Sequence, residues 1–400
     1  MQVSKTLAAS AFAALLLCSA EAAAEVKKFV VISGGEKVGS LTADIEDGAV
    51  DLDYIVRNNG RGPKWVERIE TSKTGDLLKW TITGESTFGG AVNEEYVWAS
   101  GKAAWRSQAD TGAVDAKKPG LYIANDSSPW AYGVYVSALQ KTKDGRLPVL
   151  PGGTLRLEKL GDDQLVSGRN KLPVTIYAIS GVDLTPSFVM IDRDGDLAAT
   201  VGRSVTIREG FENEAERLGE MAEKLTGDMV RSLQAKLSHR VDGPVYYHNV
   251  RILDTQKGAL SKPATVAVFK GKISSIDYDN PEREAAPGYT VVDGEGGVLV
   301  PGLHDMHSHT SPWNGLFYIA AGVTGARDQG NDPENIIEMM ESIEKGELAG
   351  PRIVRNGFIE GRSEHSSRTA FIADTLEEAL DDVRWYADHG FFQIKLYNSI

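Results

Sequence analysis

Two histidines one residue apart, His307 and His309, close the run Val298-Leu299-Val300-Pro301-Gly302-Leu303-His304-Asp305-Met306-His307-Ser308-His309. In a strand, side chains two apart share a face. Both imidazoles are therefore presented to one side, at the strand's end. Neutral imidazole is the commonest transition-metal ligand near physiological pH. The alternative is a pair of histidines in a surface loop, and the apolar strand and Pro-Gly before the pair argue against it. A divalent ion held there would lower the pKa of a bound water and polarise a carbonyl. That is hydrolytic chemistry.

The remaining ligands are limited by composition. The only cysteine, Cys18, lies in an N-terminal segment. Thiolates are therefore excluded from any mature site, which must use His, carboxylate or modified lysine. Segment 1–24 reads as a cleavable signal peptide. Lys5 gives the positive start, Leu7 to Ala20 the apolar stretch, and Ala20-Glu21-Ala22 and Ala22-Ala23-Ala24 the small-x-small sites. The apolar stretch is too short for a stable membrane anchor. Leu17 before Cys18 does not fit a lipoprotein site. The expected location is the periplasm or the exterior, in a protein without disulfides.

The chain has 400 residues, room for two or three domains, and is 25% charged and 42% hydrophobic, as globular proteins are. A net charge of −13 without a basic cluster argues against nucleic acid or an anionic membrane as partner. A small-molecule substrate is the expected partner, and the sequence leaves a homo-oligomer open.

Several elements lead up to the histidine pair. Residues 25–207 are β-rich, with short candidates such as Phe29–Ile32, Leu52–Val56, Trp80–Ile82, Tyr96–Trp98, Leu121–Ile123 and Val174–Tyr177 separated by Gly, Asp and Asn turns. Asp192-Arg193-Asp194-Gly195-Asp196 is better read as a hairpin turn than as a calcium loop, because the closing Glu of an EF-hand is missing. No histidine precedes His239, so this region is an accessory domain without an ordinary metal site. Its Trp65, Trp80, Trp98, Trp105 and Trp130 fill a sheet core or line a ligand face. Residues 208–242 form a helical connector with apolar spacing near 3.6, and a break is expected near Gly227. Residues 243–299 form a small β domain leading into the histidine strand.

From 300 to 400 strands alternate with helices. After the histidine strand come strands at 323–328, 352–357 and 391–397, with helices at 313–321, 333–345 and 375–388. Pro333 stands in a first turn, while Thr375 and Glu378 form a capping pair before Gly390. This rhythm is that of a parallel sheet, closed into a barrel or open.

Residues 245–400 resemble the amidohydrolase superfamily of metal-dependent hydrolases, and most of all its imidazolonepropionase-like and prolidase-like branch. The resemblance is carried by residues 300–309, by Ala321-Gly322-Val323-Thr324-Gly325-Ala326-Arg327-Asp328 and by Gln393-Ile394-Lys395-Leu396-Tyr397. It implies a multidomain chain: the β-rich domain, a small β-sandwich domain (243–299), and the first half of a TIM (β/α)8 barrel with the site at the strands' C-terminal ends. His307 and His309 match the first-strand ligands. Lys395 matches a fourth-strand lysine that many members carry as a carbamate bridging two metal ions, and the resemblance implies one or two divalent ions, zinc foremost. Lys395 shares a strand face with Gln393 and Tyr397, opposite Ile394 and Leu396. A lysine turned into the lumen needs a partner. The other reading is a cation at the barrel mouth that binds substrate. Asp305, Arg327, Asp328 and His365 are candidates for support or substrate contact, and Glu360 and Glu364 lie in the loop with His365. His389 ends a helix and His248 belongs to the small sheet, so neither is expected to bind metal.

The resemblance implies hydrolysis of an amide or peptide-type C–N bond in a dipeptide, N-acyl amino acid or cyclic amide. Ester or lactone hydrolysis and deamination use the same metal chemistry. A binding or scaffold protein with a degenerate barrel is the alternative of another class. The superfamily pattern also needs two histidines and an eighth-strand aspartate, the expected base, beyond Ile400. The expectation is that these residues are the N-terminal part of a longer polypeptide and are inactive alone.

Overall fold

In the computed structural model, residues 25–397 are described except positions 240, 242, 286 and 368. Segment 1–24, with the signal-peptide pattern and Cys18, lies outside the described residues. Among the described residues no helix is long and apolar enough to cross a membrane. The chain divides into two units between Gly219 and Glu220. The protein is β-rich, with large antiparallel pairing and few helices.

In the first unit, two-residue alternation builds the sheet. Along strand Lys64–Thr71 the buried residues are Trp65, Glu67 and Ile69, and along Ala91–Ala99 they are Val92, Glu94 and Tyr96. Fourteen strands between Glu25 and Arg208 join one antiparallel sheet. Its two arms meet where Glu25–Ser33 pairs with Ser204–Arg208. One arm follows chain order out to Thr111–Asp115, and the other runs back from Ser204–Arg208 to Arg146–Pro148. Asp192–Asp196 is the turn between Ser187–Asp192 and Leu197–Val201, as the hairpin reading expects.

Helix Trp130–Gln140 packs into the core of this sheet through Trp130, Tyr135 and Leu139. Trp130 meets Phe29 edge to face at 6.1 Å. The tryptophans are thus largely sheet core. Leu121–Ile123 is not a strand. It makes only an isolated bridge, Tyr122 to Leu150, and leads towards the helix.

Two buried carboxylates hold that lead-in. Glu67 accepts the Trp80 indole N–H at 3.0 Å and the Ser128 N–H at 2.5 Å. Glu94 accepts the Tyr122 hydroxyl at 2.7 Å and the N–H groups of Asn125 and Asp126 at 2.8 and 2.9 Å. Burial pushes both carboxyls above the usual glutamate range, and the hydrogen bonds oppose it only in part.

Helix Ala215–Leu237 runs unbroken through Gly227, contrary to expectation. One helical glycine costs only about 1 kcal/mol, which the rest of a long helix offsets.

In the second unit, strand Val245–Asp254 is central. It pairs antiparallel with Ala264–Phe269 and parallel with Thr290–Asp293 and Val298–Leu299. The result is one six-stranded sheet where a small sandwich was expected. Its outer strand Lys272–Asp277 keeps Ile273 and Ile276 exposed.

Strands Leu303–Ser308, Val323–Asp328 and Arg352–Arg355 then lie side by side in parallel. The third strand does not end at Gly357. It breaks at Asn356, whose N–H bonds the Asp328 carbonyl at 3.2 Å, and resumes as Gly357–Gly361. That second half takes Phe371–Ala373 and the short fourth strand Ile394–Leu396 as parallel neighbours. Helices Pro312–Ala320, Pro333–Glu344 and Leu376–Asp388 fill the crossovers, as parallel neighbours require. Asp332 caps the second through the N–H groups of Glu334 and Asn335, and Thr375 and Glu378 form the capping box of the third. Ile336, Ile353, Ile359, Tyr386 and Phe391 make the core between these helices and strands.

Candidate metal centre

The C-terminal end of strand Leu303–Ser308 sets the histidines. A register shift falls between Asp305 and Ser308, where the strand pairs with Val323–Asp328. Past it, Ser308 and Thr310 are buried while His307 and His309 are exposed. The Ser308 hydroxyl lies 3.0 Å from that of Thr310 and donates to the Arg327 carbonyl at 3.2 Å. With the residues at 308 and 310 held inward, both imidazoles emerge on the other side, and their centroids are 5.6 Å apart. Two imidazoles on one tetrahedral zinc, with Zn–N about 2.0–2.1 Å, have centroids about 5 Å apart. The observed separation is close to that value.

The supports behind the two rings differ. His309 Nδ1 lies 2.8 Å from the Gly330 carbonyl oxygen. Asp305 accepts the His307 N–H at 3.0 Å and the Tyr318 hydroxyl at 2.7 Å. These bonds, that of His307 first, hold the Asp305 carboxyl below its usual range, while burial and the Asp305 contact push the Tyr318 phenol up. Asp328 is 1% exposed and accepts from the N–H groups of Thr310 and Gly330 and from the Asn331 amide.

The other predicted residues have contacts of their own. The Lys395 ammonium lies over the rings of Phe358 and Tyr397, at 5.2 and 4.8 Å from their centroids. As an ammonium it has no lone pair for a metal. Arg327 lies 6.0 Å from the Phe392 ring centroid. His365 and Glu364 pair at 3.5 Å in an exposed loop. Glu360 is buried and accepts the Ser367 N–H at 2.7 Å. His389 stacks on Trp385 at 3.8 Å, and its Nδ1 lies 2.7 Å from that residue's carbonyl oxygen. His248 is edge-on to Tyr246 in the small sheet.

Among the described residues no three His, Cys, Asp or Glu side chains converge as a metal site. The donor set is two well-spaced imidazoles, without a completed coordination shell. Tyr318, Gly330 and Asn331 support the site and were not anticipated. The only sequence signal for the last two is Asp328-Gln329-Gly330-Asn331, a turn-forming run directly after a strand.

No family model matches the chain, and no curated protein does. Among solved structures, 39% of the chain is similar to 41% of a protein assigned as a prolidase from Bifidobacterium longum, at 22% identity and TM-score 0.33. For a Xaa-Pro dipeptidase with methionine bound in its active site, 38% of this chain matches 46% of that one, at 17% identity and TM-score 0.31. For the bottromycin amidohydrolase the shares are 44% and 36%, at 18% identity and TM-score 0.32. The chain spans less than half the length of each. At these scores the likeness concerns part of the fold and is no ground for an activity.

Proposed function

We propose that this is an exported, metal-dependent amidohydrolase that cleaves an amide or peptide-type C–N bond. The observation that carries the reading is the spacing of His307 and His309, 5.6 Å between ring centroids at the end of a parallel strand. In this reading strands 303–308, 323–328, 352–361 and 394–396 are the first four of a (β/α)8 barrel. Their parallel pairing in chain order supports it. The C-terminal strand ends are where such barrels keep their chemistry.

His307 and His309 would hold a divalent ion, zinc foremost. That ion supplies an activated water and polarises the substrate carbonyl. Asp305 fixes the backbone at His307. Lys395 has two roles to choose from: as a carbamate it would add an anionic ligand, and as an ammonium over Phe358 and Tyr397 it would bind an anionic group of the substrate. The substrate class is a dipeptide, an N-acyl amino acid or a cyclic amide.

The test is hydrolysis by the native protein from its own source, in zinc buffer, against these substrates together with esters and lactones. Activity on amides that disappears in the His307→Ala/His309→Ala double variant supports the reading. Equal activity in that variant overturns it. A second reading, a non-catalytic protein that binds small anions, is favoured by the position of Lys395 Nζ over the Phe358 and Tyr397 rings. It predicts ligand binding that Lys395→Met abolishes, and no turnover.

A further inference from the structure

Asp328 is one of the few fully buried carboxylates among the described residues of the second unit. It has three donors. Oδ2 accepts the Thr310 N–H at 2.7 Å and the Asn331 amide at 3.1 Å, and Oδ1 accepts the Gly330 N–H at 3.1 Å. Asn331 also donates to the Thr310 carbonyl at 2.7 Å. One carboxylate thus ties the backbone directly after His309 to the residue whose carbonyl meets the His309 ring.

A carbonyl oxygen only accepts, so at 2.8 Å His309 Nδ1 must be the donor. The neutral ring then carries its proton on Nδ1 and its lone pair on Nε2, on the far side from Gly330. The aim of that carbonyl depends on Gly330. Its φ of +127° is one that side chains rarely adopt, and a Cβ there would lie 3.0 Å from the Phe358 ring.

We propose that Asp328 is a positioning residue. Through the turn at Gly330 it fixes the tautomer and direction of His309, so that Nε2 is the metal-binding atom. The metal part rests on the function proposed above, whereas the tautomer part does not. Partners behind a metal-binding histidine commonly set its tautomer in this way. Here the setting is indirect: the carboxylate holds the backbone that holds the ring.

The test uses the whole protein with 15N-labelled histidine, at a pH where the imidazoles are neutral. Nitrogen NMR gives the His309 tautomer, assigned with His309→Gln. Competition with a chromophoric chelator gives the affinity for Zn2+ alone. Wild-type His309 should be protonated on Nδ1. The near-isosteric Asp328→Asn should move it towards the Nε2–H form that free histidine prefers and weaken zinc about 10- to 100-fold. Asp305→Asn should leave the His309 tautomer unchanged. Wild-type His309 protonated on Nε2 overturns the proposal without any variant having to fold. So does an Asp328→Asn protein that keeps both tautomer and zinc affinity. If the tautomer responds as stated but wild type binds no zinc, the positioning stands and the metal function falls.

Discussion

Glu67→Leu in the first unit removes an acceptor shared by two buried donors. Trp80 and Ser128 are each 1% exposed, so water does not replace the carboxylate. An unsatisfied buried donor costs about 1–3 kcal/mol, so two cost roughly 2–6 kcal/mol. Relief of a buried, desolvated carboxyl acts in the opposite direction and grows with pH. The folded-state pKa of Glu67 is raised, chiefly by burial. Its favourable contribution is therefore fully present below the ordinary glutamate pKa of about 4.3 and is lost as pH rises through the folded value. The variant's deficit should be largest near pH 5 and shrink towards pH 8.

Urea denaturation followed by tryptophan fluorescence measures this, because five of the seven tryptophans (Trp65, Trp80, Trp98, Trp105 and Trp130) lie in the first unit. Glu95→Gln, outward on the strand next to buried Glu94, should change stability by less than about 0.5 kcal/mol. The reasoning fails if Glu67→Leu matches Glu95→Gln at both pH values. It also fails if the deficit grows with pH.

Other outcomes follow from the second unit. Gly357→Ala should destabilise it by about 1–3 kcal/mol in thermal melts, because the new Cβ would lie 2.5 Å from the ring of buried Tyr386. Asp332→Ala and Thr375→Ala should each cost about 1 kcal/mol through a lost helix cap, read as lower melting midpoints, while Glu334→Gln should cost less.

Local signals were legible in the sequence, and non-local ones were not. Pro333, Thr375 and Glu378 announce their helices because a cap is settled within one turn. The histidine pair was legible because spacing alone fixes a shared face. The break at Asn356 was hidden, since its N–H turns to Asp328 and the Gly357 N–H then pairs with the Gln393 carbonyl, both contacts distant in sequence. The fourth strand is shorter than its apolar run because Phe391 enters the core and the Phe392 N–H bonds the Arg355 carbonyl. In the first unit the segments were readable, but their order in one sheet depends on Glu25–Ser33 meeting Ser204–Arg208 across most of the unit. Tyr122 looks like a strand residue and instead serves the helix lead-in through Glu94. Gly330 carries no signal of its own, because its role lies in a backbone angle and a carbonyl direction.

The most direct test of the metal-centre account is zinc binding by the whole native protein, in competition with a chromophoric chelator, for wild type and for His307→Ala/His309→Ala. The account predicts stoichiometric binding in wild type and its loss in the double variant, with circular dichroism unchanged. Zinc bound equally by both proteins, or by neither, would contradict it.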